Sequence, residues 1–408
     1  MSERRIILAL AAIFCFGYTF HQLWLVYDLA CIWAAFHVLG PAMEPRVRAL
    51  AGWMVVLVAS WFAISASLHP TSMIWALAIW DTLKHVFLWL YLLRSCYGTG
   101  PATSFLKSAE LYRWFSIAFG ANVLVAVYQF ASGDGVDDIA GLFGPGATQS
   151  FGYFLILYFL LAYQRGERGP RLLAILVVSA VLAVIGESMG FFLLLPLWFL
   201  ALQIESKRSF ASFAAGGVAI VAMLVVLAKL QPEFVDAIVS RAQSVVVPDG
   251  DLTSDHAING RGTAVAYASL VGGWTGDGPG TYSNIYGMEG SGSWLLEIVQ
   301  LEISEVSHLL AEWGAIGLGF VIGVFALLHA ALRTSAIKRL MLFAIWLACL
   351  AHGAFLMDER LIFFEMLTAL CLLCDDAPAP PQRDQDPCGT ERESGREAGH
   401  DHLATVRA

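Results

Sequence analysis

A short run of ionisable residues in the last third of the chain has the spacing needed for acid–base chemistry. His308 follows Glu305 by three residues and precedes Glu312 by four, and Glu302 lies three residues before Glu305. Residues at these separations share one face of a helix, so the imidazole and the carboxylates would be neighbours. Such a group can move a proton, and flanking carboxylates stabilise a protonated imidazole. The spacing therefore predicts a site that transfers a proton or stabilises charge.

Three cationic residues stand out by their positions in a mostly apolar chain. Arg261 lies in the polar stretch 231–306. Arg360 lies at the start of the last apolar segment, and Lys84 lies within an apolar segment. Each has a simpler alternative role: Arg261 as a contact to lipid headgroups, and Lys84 as a partner of Asp81 that only fixes helix packing.

The elements that must position these residues are predicted to be membrane helices. The chain is 58% hydrophobic and only 14% charged, whereas soluble domains are about 25% charged. Its apolar runs are continuous rather than alternating, which favours an all-α polytopic membrane protein over a barrel. We predict about twelve transmembrane helices, over 5–20, 22–40, 49–68, 72–94, 112–132, 149–164, 171–187, 189–203, 209–230, 307–332, 339–356 and 360–374.

The distribution of Lys and Arg orients this bundle. With the N-terminus in the cytoplasm, most basic residues fall on the inner side, as the positive-inside rule expects. The outer segments contain only Lys229, Arg241, Arg261 and Arg360. The predicted organisation is helices one to nine over 1–230, an outer loop over 231–306, helices ten to twelve over 307–374, and a disordered cytoplasmic tail over 375–408.

Several other classes of function are not supported by the sequence. No basic patch with interleaved aromatic residues is present, so nucleic acid is not an expected partner. All cysteines fall in predicted helices or on the cytoplasmic side, which argues against structural disulfides. The glycine-rich segment 272–293 lacks the strand and spacing of a dinucleotide site, so its glycines either form tight turns or let backbone approach a ligand.

The loop and the helix after it resemble the O-antigen ligase and O-antigen polymerase superfamily. The resemblance rests on three motifs in the same order: Arg261, then Gly276-Asp-Gly-Pro-Gly280, then Leu309-Leu-Ala-Glu312-Trp-Gly314-Ala-Ile-Gly317. It implies transfer of a glycan from undecaprenyl diphosphate to an acceptor sugar hydroxyl, or to lipid A core, outside a bacterial inner membrane. It also implies that no metal or other cofactor is required, and a chain-length regulator is a further expected partner of the polymerases.

The resemblance assigns roles to individual residues and also shows two departures. Arg261 would hold the diphosphate, and His308, Glu305 or Glu302 would serve as the base, with Glu312 beside them. The family's His-Asn pair is replaced here by Ile303-Ser304, and its Ser-Arg-Gly by Glu187-Ser-Met-Gly190. Arg360 or Lys84 would then supply the second cation.

Two other functions remain open at this stage. A transporter or flippase of a lipid-linked saccharide would use polar residues at membrane depth, such as Lys84, but would be expected to show an internal repeat, which is not seen. A non-catalytic assembly subunit would explain the departures from the family pattern. His352 and Glu365 are expected to be interior hydrogen-bonding residues rather than catalytic ones.

Overall fold

The computed structural model describes residues 3–16, 23–68, 75–97, 109–133, 135, 138–204, 261–278, 304–353 and 359–373. All of them belong to the compact unit Met1–Asp376, and a second unit comprises Ala377–Ala408. Every regular element within the described ranges is helical. The predicted tail, the predicted helix over 209–230 and most of the predicted outer loop lie outside these residues.

Thirteen α-helices and one short 3₁₀ helix make up the described part of the chain. They are α1 (Glu3–Phe16), α2 (Leu23–Leu39), α3 (Pro45–Leu68), α4 (Trp75–Leu92), α5 (Arg94–Tyr97), α6 (Ala109–Ser132), the 3₁₀ helix Gly141–Phe143, α7 (Thr148–Gln164), α8 (Pro170–Ile185), α9 (Met189–Ile204), α10 (Arg261–Gly272), α11 (Glu305–Ala330), α12 (Ala336–His352) and α13 (Glu359–Leu373).

The helix positions agree with the apolar runs, and three helices meet the requirements for crossing a bilayer. A hydrocarbon core of about 30 Å needs roughly 20 apolar residues in helical form. Among the described residues, α3, α6 and α11 are long and apolar enough by length and composition. The other apolar helices are shorter, so these lengths alone do not establish the predicted count of spans.

The outward faces of several helices are apolar, which suits contact with lipid. Phe36 on α2 is 75% exposed and Leu124 on α6 is 73% exposed, and α3 and α8 also expose large hydrophobic side chains. In water such surfaces would favour association, whereas lipid chains solvate them without cost. These exposed faces have the apolar composition that contact with lipid requires.

The interior is held together largely by aromatic side chains. Phe14 of α1 stacks on Phe363 of α13 with ring centroids 4.3 Å apart. Phe325 of α11 stacks on Trp346 of α12 at the same separation, and His329 lies against both Trp89 and Trp346. Aromatic packing of this kind contributes about 0.5–1.5 kcal/mol per pair beyond the area that it buries. The late helices α11 to α13 are thereby joined to the early ones.

Candidate functional site

Helix α11 is interrupted at Gly314, in the middle of the glutamate–glycine motif. Gly314 has φ 68° and ψ −175°, whereas the residues around it are helical. This conformation is essentially restricted to glycine, because a Cβ atom would clash with the backbone. The break therefore divides α11 into a short segment that carries the ionisable residues and a longer, largely apolar segment that ends at Ala330.

The backbone of the glycine-rich loop fills the break. The amides of Asp277 and Gly278 donate to the carbonyls of Ala311 and Glu312, at 3.0 and 2.9 Å. In the opposite direction, the amides of Ala315 and Ile316 donate to the carbonyls of Gly273 and Trp274, at 3.0 and 3.1 Å. An interrupted helix in a bilayer is tolerated only where its backbone groups find new partners. The loop supplies these partners, so α10 and the following turn are joined to α11 through main-chain atoms.

A second glycine makes this close approach possible. Gly276 has φ 74°, and a Cβ atom on it would collide with the carbonyl of Glu312. The turn and the close backbone contact are thus both present at one residue. The sequence left these two roles as alternatives for the segment 272–293. In the described part of that segment the structure shows the tight turn and a close backbone approach to α11; approach to a ligand stays a prediction.

The ionisable residues of the first α11 segment form a compact buried group. Nδ1 of His308 lies 3.0 Å from Oε1 of Glu305 and forms a hydrogen bond with it, and Nε2 lies 3.2 Å from Oε2 of Glu312. The second contact is an ion-pair contact whose direction falls outside that of a hydrogen bond. Glu305, His308 and Glu312 are 1%, 6% and 2% exposed. The predicted neighbourhood of the three residues is therefore observed.

The geometry limits what the histidine can do. A neutral imidazole carries one N–H and one lone pair, so it can satisfy only one of two flanking carboxylates. An imidazolium carries an N–H on each nitrogen and attracts both carboxylates, and a dry environment strengthens the attraction. In this arrangement His308 is best suited to hold and orient the two carboxylates, and the oxygens of Glu305 or Glu312 are better placed to accept a proton from a ligand.

The start of α11 is held by a cap within the helix and by a hydrogen bond to the end of α12. Ser304 is the N-cap, and its hydroxyl accepts a hydrogen bond from the amide of Ser307. The amide of Glu305 donates to the carbonyl of Gly353 at 2.8 Å, immediately after α12 ends. A Cβ on Gly353 would meet Gln149 of α7 and Leu361 of α13. Four helices therefore converge where the ionisable group lies.

The other predicted cations meet at the start of α13. Nζ of Lys84 lies 3.0 Å from Oε1 of Glu359 and 3.7 Å from Oδ1 of Asp28. Nη1 of Arg360 donates to the carbonyl of Phe143 at 3.3 Å. The partners of Lys84 come from α2 and α13 and were not foreseen, because their contact depends on how distant helices pack. The side chain of Asp81, the partner considered from the sequence, lies outside the described residues.

The remaining predicted site residues are placed less completely. Arg261 is the first residue of α10, whose Ala264 and Ala268 pack on Leu310 and Ala311 of α11. Glu302, which was a candidate base, lies outside the described residues. Glu187 lies between α8 and α9, in the segment that replaces the family's Ser-Arg-Gly. It adopts a left-handed conformation with φ 46°.

One interior prediction is wrong. Glu365 was expected to form interior hydrogen bonds, yet among the described residues neither carboxyl oxygen has a hydrogen-bond partner. The side chain is 0% exposed. A helical pattern identifies a buried position but gives no information on which polar groups will face it.

Comparison with known proteins adds no further assignment. No protein-family model matches the chain, and a search of curated proteins finds no match.

Proposed function

We propose that this chain is an integral membrane enzyme that transfers a glycan from a polyprenyl diphosphate carrier to a sugar hydroxyl at the outer face of a bacterial inner membrane. The observation that carries the proposal is the buried group of Glu305, His308 and Glu312, held against a glycine loop whose backbone completes a broken helix. The motifs that contribute these features are those that resemble the O-antigen ligase and polymerase superfamily.

The chemistry requires a base and a cation at opposite sides of the reacting carbon. The acceptor hydroxyl attacks the anomeric carbon, the bond from that carbon to the diphosphate oxygen breaks, and the hydroxyl proton passes to a carboxylate of Glu305 or Glu312. The leaving diphosphate gains negative charge, which a guanidinium stabilises. Arg261 at the start of α10 is the proposed ligand, because α10 packs directly on the first segment of α11.

The membrane arrangement is part of the same proposal. Twelve spans with both termini in the cytoplasm would place the starts of α11 and α13 at the outer side, near the level of the lipid headgroups. Such a position gives a lipid-anchored donor access to the site without leaving the bilayer. Reporter fusions after Arg168, Arg208, Pro279 and Arg333 test the orientation: only the fusion after Pro279 should report the outer side.

The function is tested by complementing a deletion strain and separating its surface glycans on a gel. Single repeat units on the acceptor after deletion would identify a polymerase, and full-length glycan retained on the carrier would identify a ligase. We expect Arg261→Ala, Glu305→Ala and Glu312→Gln to lose complementation at wild-type membrane levels. Gly319→Ala is the matched control, because no atom lies within 4 Å of the added methyl group.

The alternatives give different outcomes in the same experiment. Complementation by all three site variants would contradict an enzymatic role and favour a transporter of the lipid-linked saccharide. Unchanged surface glycans in the deletion strain would contradict both readings.

A further inference from the structure

Glu365 lies in a fully buried stretch of α13, on a different helix from Glu305, His308 and Glu312. Every residue of α13 from Leu361 to Leu373 is buried, so this helix has no face turned to lipid or solvent along that length. Glu365 is six residues after the first residue of the helix, which corresponds to about 9 Å of depth. The carboxyl group therefore cannot reach an aqueous surface by extending its side chain.

The described side chains next to Glu365 along α13 pack in an aromatic cluster. The preceding residues, Phe363 and Phe364, pack on Phe14, Phe143 and Phe154. The described polar groups that interact electrostatically with the acid include the hydroxyl groups of Tyr97 and Tyr153 and the thiol of Cys349.

Several polar groups on the packed helices have partners other than Glu365. Tyr153 of α7 donates its hydroxyl hydrogen to the sulfur of Cys349 on α12. On α4, Lys84 is bonded to Glu359 and His85 to Tyr27. The described length of α9 contains no titratable side chain. Among the described residues, both oxygens of Glu365 lack a hydrogen-bond partner and no cation forms an ion pair with it.

An ionised carboxylate in such a place would be far more costly than a neutral acid. Burial of an isolated ion costs tens of kcal/mol in the limit of a dry interior, and in proteins the group becomes neutral instead. Ionisable residues inside membrane segments are also rare and are commonly functional. Cys349 lies one turn before His352, at the end of α12 whose next residue accepts the hydrogen bond from Glu305.

We propose that Glu365 is a proton-binding site within the helical bundle, a neutral carboxylic acid that holds its proton in the buried interior and is open to apolar reagents but closed to water-soluble ones. The proposal does not depend on glycan transfer. It assigns a second acid to the protein, with a proton as its ligand and with the Tyr153 hydroxyl and the Cys349 thiol among its polar surroundings.

Carbodiimide labelling of the full-length protein in proteoliposomes tests the protonation state directly. The acid adds across one C=N bond of the reagent: its oxygen bonds to the central carbon and its proton moves to nitrogen. We expect dicyclohexylcarbodiimide to modify Glu365 at neutral pH, as located by fragment mass spectrometry. The adduct should be absent from Glu365→Gln and retained in Glu359→Gln, the control on the same helix. A water-soluble carbodiimide should leave Glu365 unmodified.

Three results would overturn the proposal. The first is no adduct at Glu365 at neutral pH in wild-type protein, a result that needs no variant to fold. The second is protection from labelling by sodium ions at constant pH, which would identify a metal cation as the ligand. The third is equal labelling by the water-soluble reagent, which would show that water reaches the carboxyl group.

An infrared measurement provides a second test on the same protein. A neutral acid without hydrogen bonds has a C=O stretching band at high frequency, and we expect this band to disappear in Glu365→Gln. The variant should melt at the wild-type temperature or above, because an amide replaces an acid that carries no charge. A band that is absent from wild type, or a strongly lowered melting temperature only in this variant, would show that Glu365 is ionised and paired.

Discussion

Substitution of Gly314 by alanine tests whether the broken helix is a built feature of the protein. The glycine has φ 68° and ψ −175°, and a Cβ atom there would collide with the backbone of Trp274, Thr275 and Gly276. Strain of this kind costs about 1–3 kcal/mol. Loss of two of the four hydrogen bonds across the break would add about 1–3 kcal/mol. We therefore expect Gly314→Ala to lower the free energy of unfolding by roughly 2–6 kcal/mol.

Thermal unfolding in detergent, followed by tryptophan fluorescence, measures the effect. Gly319→Ala and Gly323→Ala are matched controls on the same helix, because nothing lies within 4 Å of a methyl group added at either position. Alanine is the better helix former by about 1 kcal/mol, so both controls should melt at or above the wild-type temperature. If Gly314→Ala melts together with the controls, α11 runs through this position unbroken and the argument for the loop contact fails.

Three further changes follow from the charge and cap contacts. His308→Ala should destabilise the protein by about 3–5 kcal/mol, because it leaves two buried carboxylates without their cation. The double variant with Glu312→Gln should recover part of this stability. If a double-mutant cycle shows no recovery, the pairing of His308 with Glu312 is contradicted. Lys84→Met should lower the melting temperature, and Glu359→Gln in the same chain should restore some of it; additive losses would show that the two residues act independently. Ser304→Ala should cost about 1 kcal/mol as loss of an N-cap, and an unchanged melting temperature would contradict that role.

The sequence predicted the positions of the helices well, because a run of apolar residues marks a helix without reference to distant parts of the chain. The apolar runs that begin near residues 112, 149 and 171 correspond to α6, α7 and α8. The neighbourhood of Glu305, His308 and Glu312 was also predictable, since residues three and four apart share a helix face whatever the tertiary fold.

The features that depend on contacts between distant segments could not be predicted in this way. The run over 307–332 is largely apolar and contains four glycines, and the pattern gives no sign of which of them would break the helix. Only the approach of residues 273–278 makes Gly314 the break. Lys84 shows the same limit, because Glu359 lies 275 residues away along the chain. Pattern arguments identify buried charge but not the partner that neutralises it.

Glu312 connects the two parts of the candidate site. Its carbonyl accepts the hydrogen bond from Gly278, and its carboxylate contacts His308. Movement of the glycine loop would therefore move the backbone that carries one of the two carboxylates around the imidazole. The glycine loop and the ionisable group are thus connected through Glu312. A ligand that displaced the loop would change the environment of His308 without touching it, and a substitution in the loop would act on the chemistry as well as on stability.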